Sequence, residues 1–162
     1  MQRPTRVVVV VILATIVTAR VSPAQTKAST SPTSAACSLL SKQDSAAALG
    51  EAVTGPQSSS VAASITGAPA SSCEYSGSGI HMVHLNLMTL SGANAAMYKM
   101  LCAQKTKEGL AGLGDTACWY NSKHEELQVL KGTTFFSIEL RKSGDPTEAI
   151  KGVAKKVFDQ LK

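Results

Sequence analysis

Residues 126–141 read ELQVLKGTTFFSIELR, and this stretch decides the fold. Phe136, Ile138 and Leu140 alternate with Ser137, Glu139 and Arg141. Extended chain throws successive side chains to opposite faces, so residues 133–141 are predicted to form a strand with one apolar face. Residues 126–130 are predicted to form a second strand. Lys131-Gly132 between them is too short for anything but a hairpin, so the two strands run antiparallel.

Downstream, a helix start is signalled by Asp145 as N-cap, Pro146 at the first helical position and Glu148 two residues later. Ile150, Val153, Ala154, Val157 and Leu161 form one apolar stripe, with Lys151, Lys155, Lys156 and Lys162 opposite. Gly152 lies inside this helix, where glycine costs about 1 kcal/mol relative to alanine. Close packing against a sheet is the expected reason.

Upstream, residues 80–90 read as a central strand. His81, Val83, Leu85 and Leu87 share one face, and Met82, His84, Asn86 and Met88 the other. A helix is expected over 93–105, with Ala93, Met97, Met100, Leu101 and Gln104 at helical spacing. A glycine-rich loop, 109–115, then places Asp115 at the start of a strand over 117–121. Nearer the N-terminus, Ser41 caps a helix that Gly50 ends. Residues 54–72 are rich in Ser, Gly, Pro and Ala, with a short strand expected at 61–65. Cys73-Glu74-Tyr75 is a further strand, and Gly77-Ser78-Gly79 a turn. The order predicts an α+β fold: a mainly antiparallel sheet packed by about three helices.

The first 24 residues read as a cleaved signal peptide. Arg3 and Arg6 precede an apolar run, Val7 to Val17, and Ser22-Pro23-Ala24 supplies small residues at a cleavage site. Cleavage after Ala19 is the second choice. The apolar run falls short of the roughly 20 residues a membrane span needs. The first cysteine, Cys37, follows Ser34-Ala35-Ala36, which lacks the large aliphatic residue of a lipidation signal. Residues 25–36 lack large apolar side chains and are expected to be a disordered tether. A single domain over 37–162 follows.

Removal of residues 1–24 changes the electrostatics. The whole chain has 16 basic and 11 acidic side chains, a net +5. Arg3, Arg6 and Arg20 leave with the leader, so 13 basic against 11 acidic groups remain, a net +2. The basic character belongs to the leader and gives no footing to a nucleic-acid partner. No transmembrane span is expected after cleavage.

The chemistry-bearing residues are few. Four cysteines in an exported chain point to two disulfides among Cys37, Cys73, Cys102 and Cys118, with three pairings open. His81 and His84, with Met82 and Met88, suggest a copper-type metal site. Residues three apart on a strand point to opposite faces, which argues against it. His124-Glu125-Glu126 reads as a solvated turn rather than an acid–base cluster. Gly109, Gly112 and Gly114 lack the strand before and the Lys-Ser/Thr after that a phosphate loop requires. No Gly-x-Ser-x-Gly is present. Trp119 and Tyr120 fall on opposite faces of one short strand, so one is expected in the core. The pair is retained as a candidate binding surface. No catalytic, cofactor-binding or metal-ligating residue is assigned.

Cys37-Ser38-Leu39-Leu40, the helix end Leu49-Gly50, Cys73-Glu74-Tyr75, Gly112-Leu113-Gly114-Asp115-Thr116-Ala117 and Leu127-Gln128-Val129-Leu130-Lys131-Gly132 form a pattern. With the terminal amphipathic helix, it resembles small secreted bacterial proteins of unknown function. These are akin to actinobacterial cell-envelope lipoproteins with a PsbP/Mog1-like fold. The resemblance spans Cys37 to Leu161 and implies a fold and an envelope location, not an activity. It also implies the pairing Cys37–Cys73, which leaves Cys102–Cys118. The leading expectation is a non-catalytic binding or accessory module, periplasmic or extracellular, that meets an envelope or extracellular ligand or protein and uses no cofactor. The alternative is a secreted hydrolase whose site is assembled from scattered serine, histidine and acidic residues.

Overall fold

The computed structural model describes residues 35–61 and 69–161. The expected signal peptide, residues 25–34 of the expected tether and all but the first residue of the 61–65 strand lie outside them.

The polypeptide forms an α+β fold with four helices among the described residues and one six-stranded antiparallel sheet. Two helices come first, α1 (Ala35–Leu39) and α2 (Lys42–Leu49). Three strands follow: β1 (Thr54–Val61), β2 (Ala70–Ser76) and β3 (Met82–Thr89). Then come α3 (Gly92–Ala103), β4 (Thr116–Trp119), β5 (Glu126–Lys131), β6 (Thr134–Arg141) and α4 (Thr147–Gln160). The spatial order is β1-β2-β3-β6-β5-β4. Strand β6, the chain's most regular alternation, therefore lies against β3 at the centre.

Register explains the core. Cys73, Leu85, Ile138, Leu127 and Trp119 are successive cross-strand partners from β2 to β4. Each is at most 2% exposed. Neighbouring rows add Tyr75, Val83 and Leu140, and Phe136, Val129 and Ala117. Ile150, Val153, Ala154 and Val157 of α4, with Leu40 and residues of α1 and α2, close this face into one apolar cluster. Burial of this continuous surface is the main stabilising term. Ser41 caps α2 by accepting from the Asp44 amide at 3.0 Å, and Gly50 ends it in the left-handed region.

The opposite face is only half covered. Helix α3 packs there through Ala95 and Tyr98 on Leu90, Leu130 and Phe135. Tyr98 meets Phe135 edge-on, with ring centroids 5.0 Å apart. Cys102 of α3 is bonded to Cys118 of β4, and Cys37 of α1 to Cys73 of β2, with Cα separations of 5.7 and 4.9 Å. These are the pairs the family resemblance implied.

Several local expectations are corrected. Residues 54–61 form an edge strand although they read TGPQSSSV. Among the described residues β1 pairs only with β2, and its Gln57, Ser58 and Ser59 are exposed, so no apolar alternation is needed. The domain begins two residues before the expected Cys37: Ala35 and Ala36 are helical, and Ala36 is fully buried. The β5–β6 turn is Gly132-Thr133, one residue later than expected, with Lys131 paired to Thr134. Helix α4 begins at Thr147 rather than Pro146, although the Asp145 carboxylate still accepts from the Thr147 amide at 2.9 Å. Helix α3 buries Ala95 and Cys102 and leaves Met97, Met100 and Leu101 about half exposed. The bond from Cys102 to Cys118 fixes the rotation of the helix and turns these side chains outward.

Gly152 does not pack on the sheet. It is exposed, and a Cβ built there meets nothing within 4 Å. Gly152→Ala is therefore expected to raise stability by about 0.5–1 kcal/mol, from helix propensity alone. Paired urea titrations check this; a loss of stability would mean that the site is crowded.

Candidate functional site

Three places bring chemistry-bearing side chains together. The first lies at the end of the sheet where the β2–β3 turn, the end of α2 and the β6–α4 link meet. Glu51 follows the αL residue Gly50, and its Oε1 lies 2.7 Å from His81 Nδ1. A carboxylate only accepts, so Nδ1 carries the proton. On the far side of the ring, Nε2 lies 3.1 Å from Ser143 Oγ. The carboxylate is itself held by the Ser78 amide at 3.0 Å and the Ser78 hydroxyl at 2.6 Å. Gly77 makes this approach feasible, because a Cβ there would sit 2.2 Å from Glu51 Oε1. The side chains of His81 and Glu51 are 23% and 28% exposed, so the cluster is reachable from solvent.

The hydrogen bonds from Ser78, with a further one from His81, hold the Glu51 carboxyl at a pKa of about 2, below the ordinary 4.5. A folded-state pKa below the unfolded one stabilises the fold above the unfolded value. That contribution is lost as pH falls through the folded value. Glu51→Gln is expected to lower stability at pH 7, with the gap to wild type shrinking as pH falls from about 4.5 to about 2. Urea titrations across that range check it, and a gap that stays constant would contradict it.

The second place is the β4–β5 turn. Trp119 is 2% exposed, while Tyr120 is 56% exposed. Trp119 therefore cannot form part of a binding surface: it stacks on His124 at 4.6 Å and donates from Nε1 to the Glu108 carbonyl. Tyr120 stays outward with Lys105 Nζ 4.4 Å over its ring. His124 has φ +56°, an uncommon conformation for a side-chain-bearing residue. It contacts Thr147 and Trp119, not Glu125 or Glu126, so the sequence His124-Glu125-Glu126 does not converge on one point.

The third place is the half-covered face. Beside α3, Met88, Leu90, Met97, Tyr98, Leu101 and Phe135 line an open groove of about 260 Å³. Along the strands the floor turns polar. Ser72, Asn86, Ser137 and Gln128 form one cross-strand row, and Glu74, His84, Glu139 and Glu126 the next. Arg141 pairs with Glu139 at 2.6 Å. Burial, then the charge of the Glu126 carboxylate, raises the pKa of the Tyr98 hydroxyl.

His81 precedes β3 and meets Glu51 and Ser143, whereas His84 stands opposite Glu139 in the polar cross-strand row. Among the described residues no group of three or more His, Cys, Asp or Glu side chains is placed to hold a metal ion. Asp115, at the end of the glycine-rich loop, accepts from the Gly132 amide at 3.0 Å and faces Lys99, which ties the loop to the β5–β6 turn. A larger hollow of about 420 Å³ is lined, among the described residues, by Ala35, Ser60, Pro69 and Leu87 with their neighbours. It gathers no charged side chain.

Sequence reasoning missed Glu51, Ser78 and Ser143, because neither spacing nor periodicity links three loops that only the sheet topology unites. The Met97/Leu101 surface left a signal, the methionine-rich helical spacing, but spacing alone does not say whether that stripe is covered. Scans of the chain against protein-family models, curated proteins and solved structures find no match.

Proposed function

We propose that this protein is an exported binding module of the cell envelope or extracellular space, and that the groove beside α3 with its polar floor is its ligand face. The single observation that carries this reading is the half-covered sheet. A stable α+β domain has no need to leave Met97, Leu101 and Met88 open beside Phe135, whereas a docking face does. Methionine side chains suit such a surface because they adapt to a partner's shape. The acidic row containing Glu126 and Glu139 favours a partner segment that joins apolar side chains to positive charge. The two disulfides fit an oxidising compartment. No helix among the described residues is long and apolar enough to cross a membrane. The resemblance to actinobacterial envelope lipoproteins belongs to the same proposal.

An affinity pull-down from envelope extract, run in parallel with wild type and a Met97→Asp/Leu101→Asp variant, tests the reading. A partner held by wild type, released by salt and lost by the variant supports it. Equal retention by both proteins contradicts it. Export is tested by N-terminal sequencing of the secreted product, with Gln25 expected first; an intact Met1 in the membrane fraction would contradict it.

A further inference from the structure

We infer that Ser143 is an activated nucleophile, with His81 as its general base and Glu51 as the group that orients the base, open to small unhindered acyl esters. The inference does not rest on the binding reading, since this cluster lies apart from the α3 groove.

The three groups come from three separate segments and meet in order. Glu51 fixes the proton of His81 on Nδ1 at 2.7 Å. The neutral ring then presents its lone pair at Nε2, 3.1 Å from the Ser143 hydroxyl. That is the nucleophile–base–orienting-acid arrangement by which serine is made reactive, recognised by geometry rather than by motif. The carboxylate is held in turn by both the amide and the hydroxyl of Ser78, which removes its freedom to swing away. Gly144 follows Ser143 with φ +80°, so the chain turns sharply after the nucleophile and leaves it exposed. A hairpin lock alone would need Glu51 and Ser78. It gives no role to the second ring nitrogen or to a serine 62 residues further along the chain.

The chemistry balances with water as the only co-reactant. Ser143 Oγ bonds to the ester carbonyl carbon while His81 Nε2 takes the hydroxyl proton. The tetrahedral adduct collapses, the C–O bond to the alcohol breaks, and the alcohol leaves with the proton from His81. Water then attacks the acyl-serine with His81 again as base, which releases the carboxylic acid and restores Ser143. Ser143 is exposed, so the site admits unhindered esters and turns them over slowly.

The test uses the disulfide-intact protein and a fluorophosphonate probe, read by intact mass and peptide mapping. One adduct is expected, on Ser143. Labelling should vanish in Ser143→Ala, an exposed substitution that should leave the melting curve unchanged, and should slow by about 10²-fold in Glu51→Gln. Labelling should slow likewise in His81→Gln, which removes the base. No adduct, an adduct on another residue, or undiminished labelling of Ser143→Ala or His81→Gln would each overturn the proposal. Because wild type and Ser143→Ala suffice, a Glu51→Gln chain that folds poorly does not blunt the test.

Discussion

Trp119→Ala is expected to destabilise the fold by about 3–5 kcal/mol, while Tyr120→Ala, one residue on, is expected to cost no more than about 1 kcal/mol. Trp119 is 2% exposed, at the end of the cross-strand row that runs from Cys73. Its removal leaves a cavity against Leu127, strips the His124 ring of its stacking partner and frees the Glu108 carbonyl. Tyr120 loses only solvent contacts and the cation–π contact with Lys105. Trp119 is the last residue of the four-residue edge strand β4, and Tyr120 follows it directly, so the contrast is between two adjacent rings that differ in burial. Matched urea titrations with unchanged slopes would read the contrast directly. Equal losses would place both rings in the core and remove Tyr120 as a surface anchor.

That contrast shows what the sequence could and could not disclose. Alternation in 133–141 located a strand and its core face, Phe136, Ile138 and Leu140, but not the burial of Phe135 and Ser137 on the other face. The stripe on α4 was legible in the same way. Strand β1 was not, since an edge strand with exposed serines is specified by backbone pairing to β2 and leaves no apolar pattern. In α3 the local spacing misled: Met97 and Leu101 look like core until Cys102 is known to face Cys118. For Trp119 and Tyr120 the pattern said that one was inside without saying which. The Glu51–His81–Ser143 cluster is the extreme case. Its members are ordinary surface residue types in three loops, and only the order β2-β3-β6 with the helices behind it brings those loops together.

Cross-links set the other large expectation. Replacing Cys37 and Cys73 together by Ala is expected to cost about 4 kcal/mol, and replacing Cys102 and Cys118 together about 3 kcal/mol, from loop-closure entropy restored to the unfolded chain. The loops closed span 36 and 16 residues, which sets the order. Alanine is preferred to serine because Cys73, Cys102 and Cys118 are fully buried, and a hydroxyl there would face an additional desolvation cost. The location of each bond reinforces the ranking. Cys37–Cys73 fastens α1, a helix of five residues too short to be stable alone, to β2 beneath it. Ala36 and Leu40 on either side are buried only while that helix is docked. Cys102–Cys118 secures α3, which also holds its place through Ala95 and Tyr98 on Phe135 and Leu130. The first double variant should therefore lose protection at α1 in hydrogen exchange at neutral pH, whereas the second should keep α3 docked but loosen its last turn. Denaturant midpoints in the reverse order would show that native packing of α3, rather than chain entropy, is what the Cys102–Cys118 bond preserves.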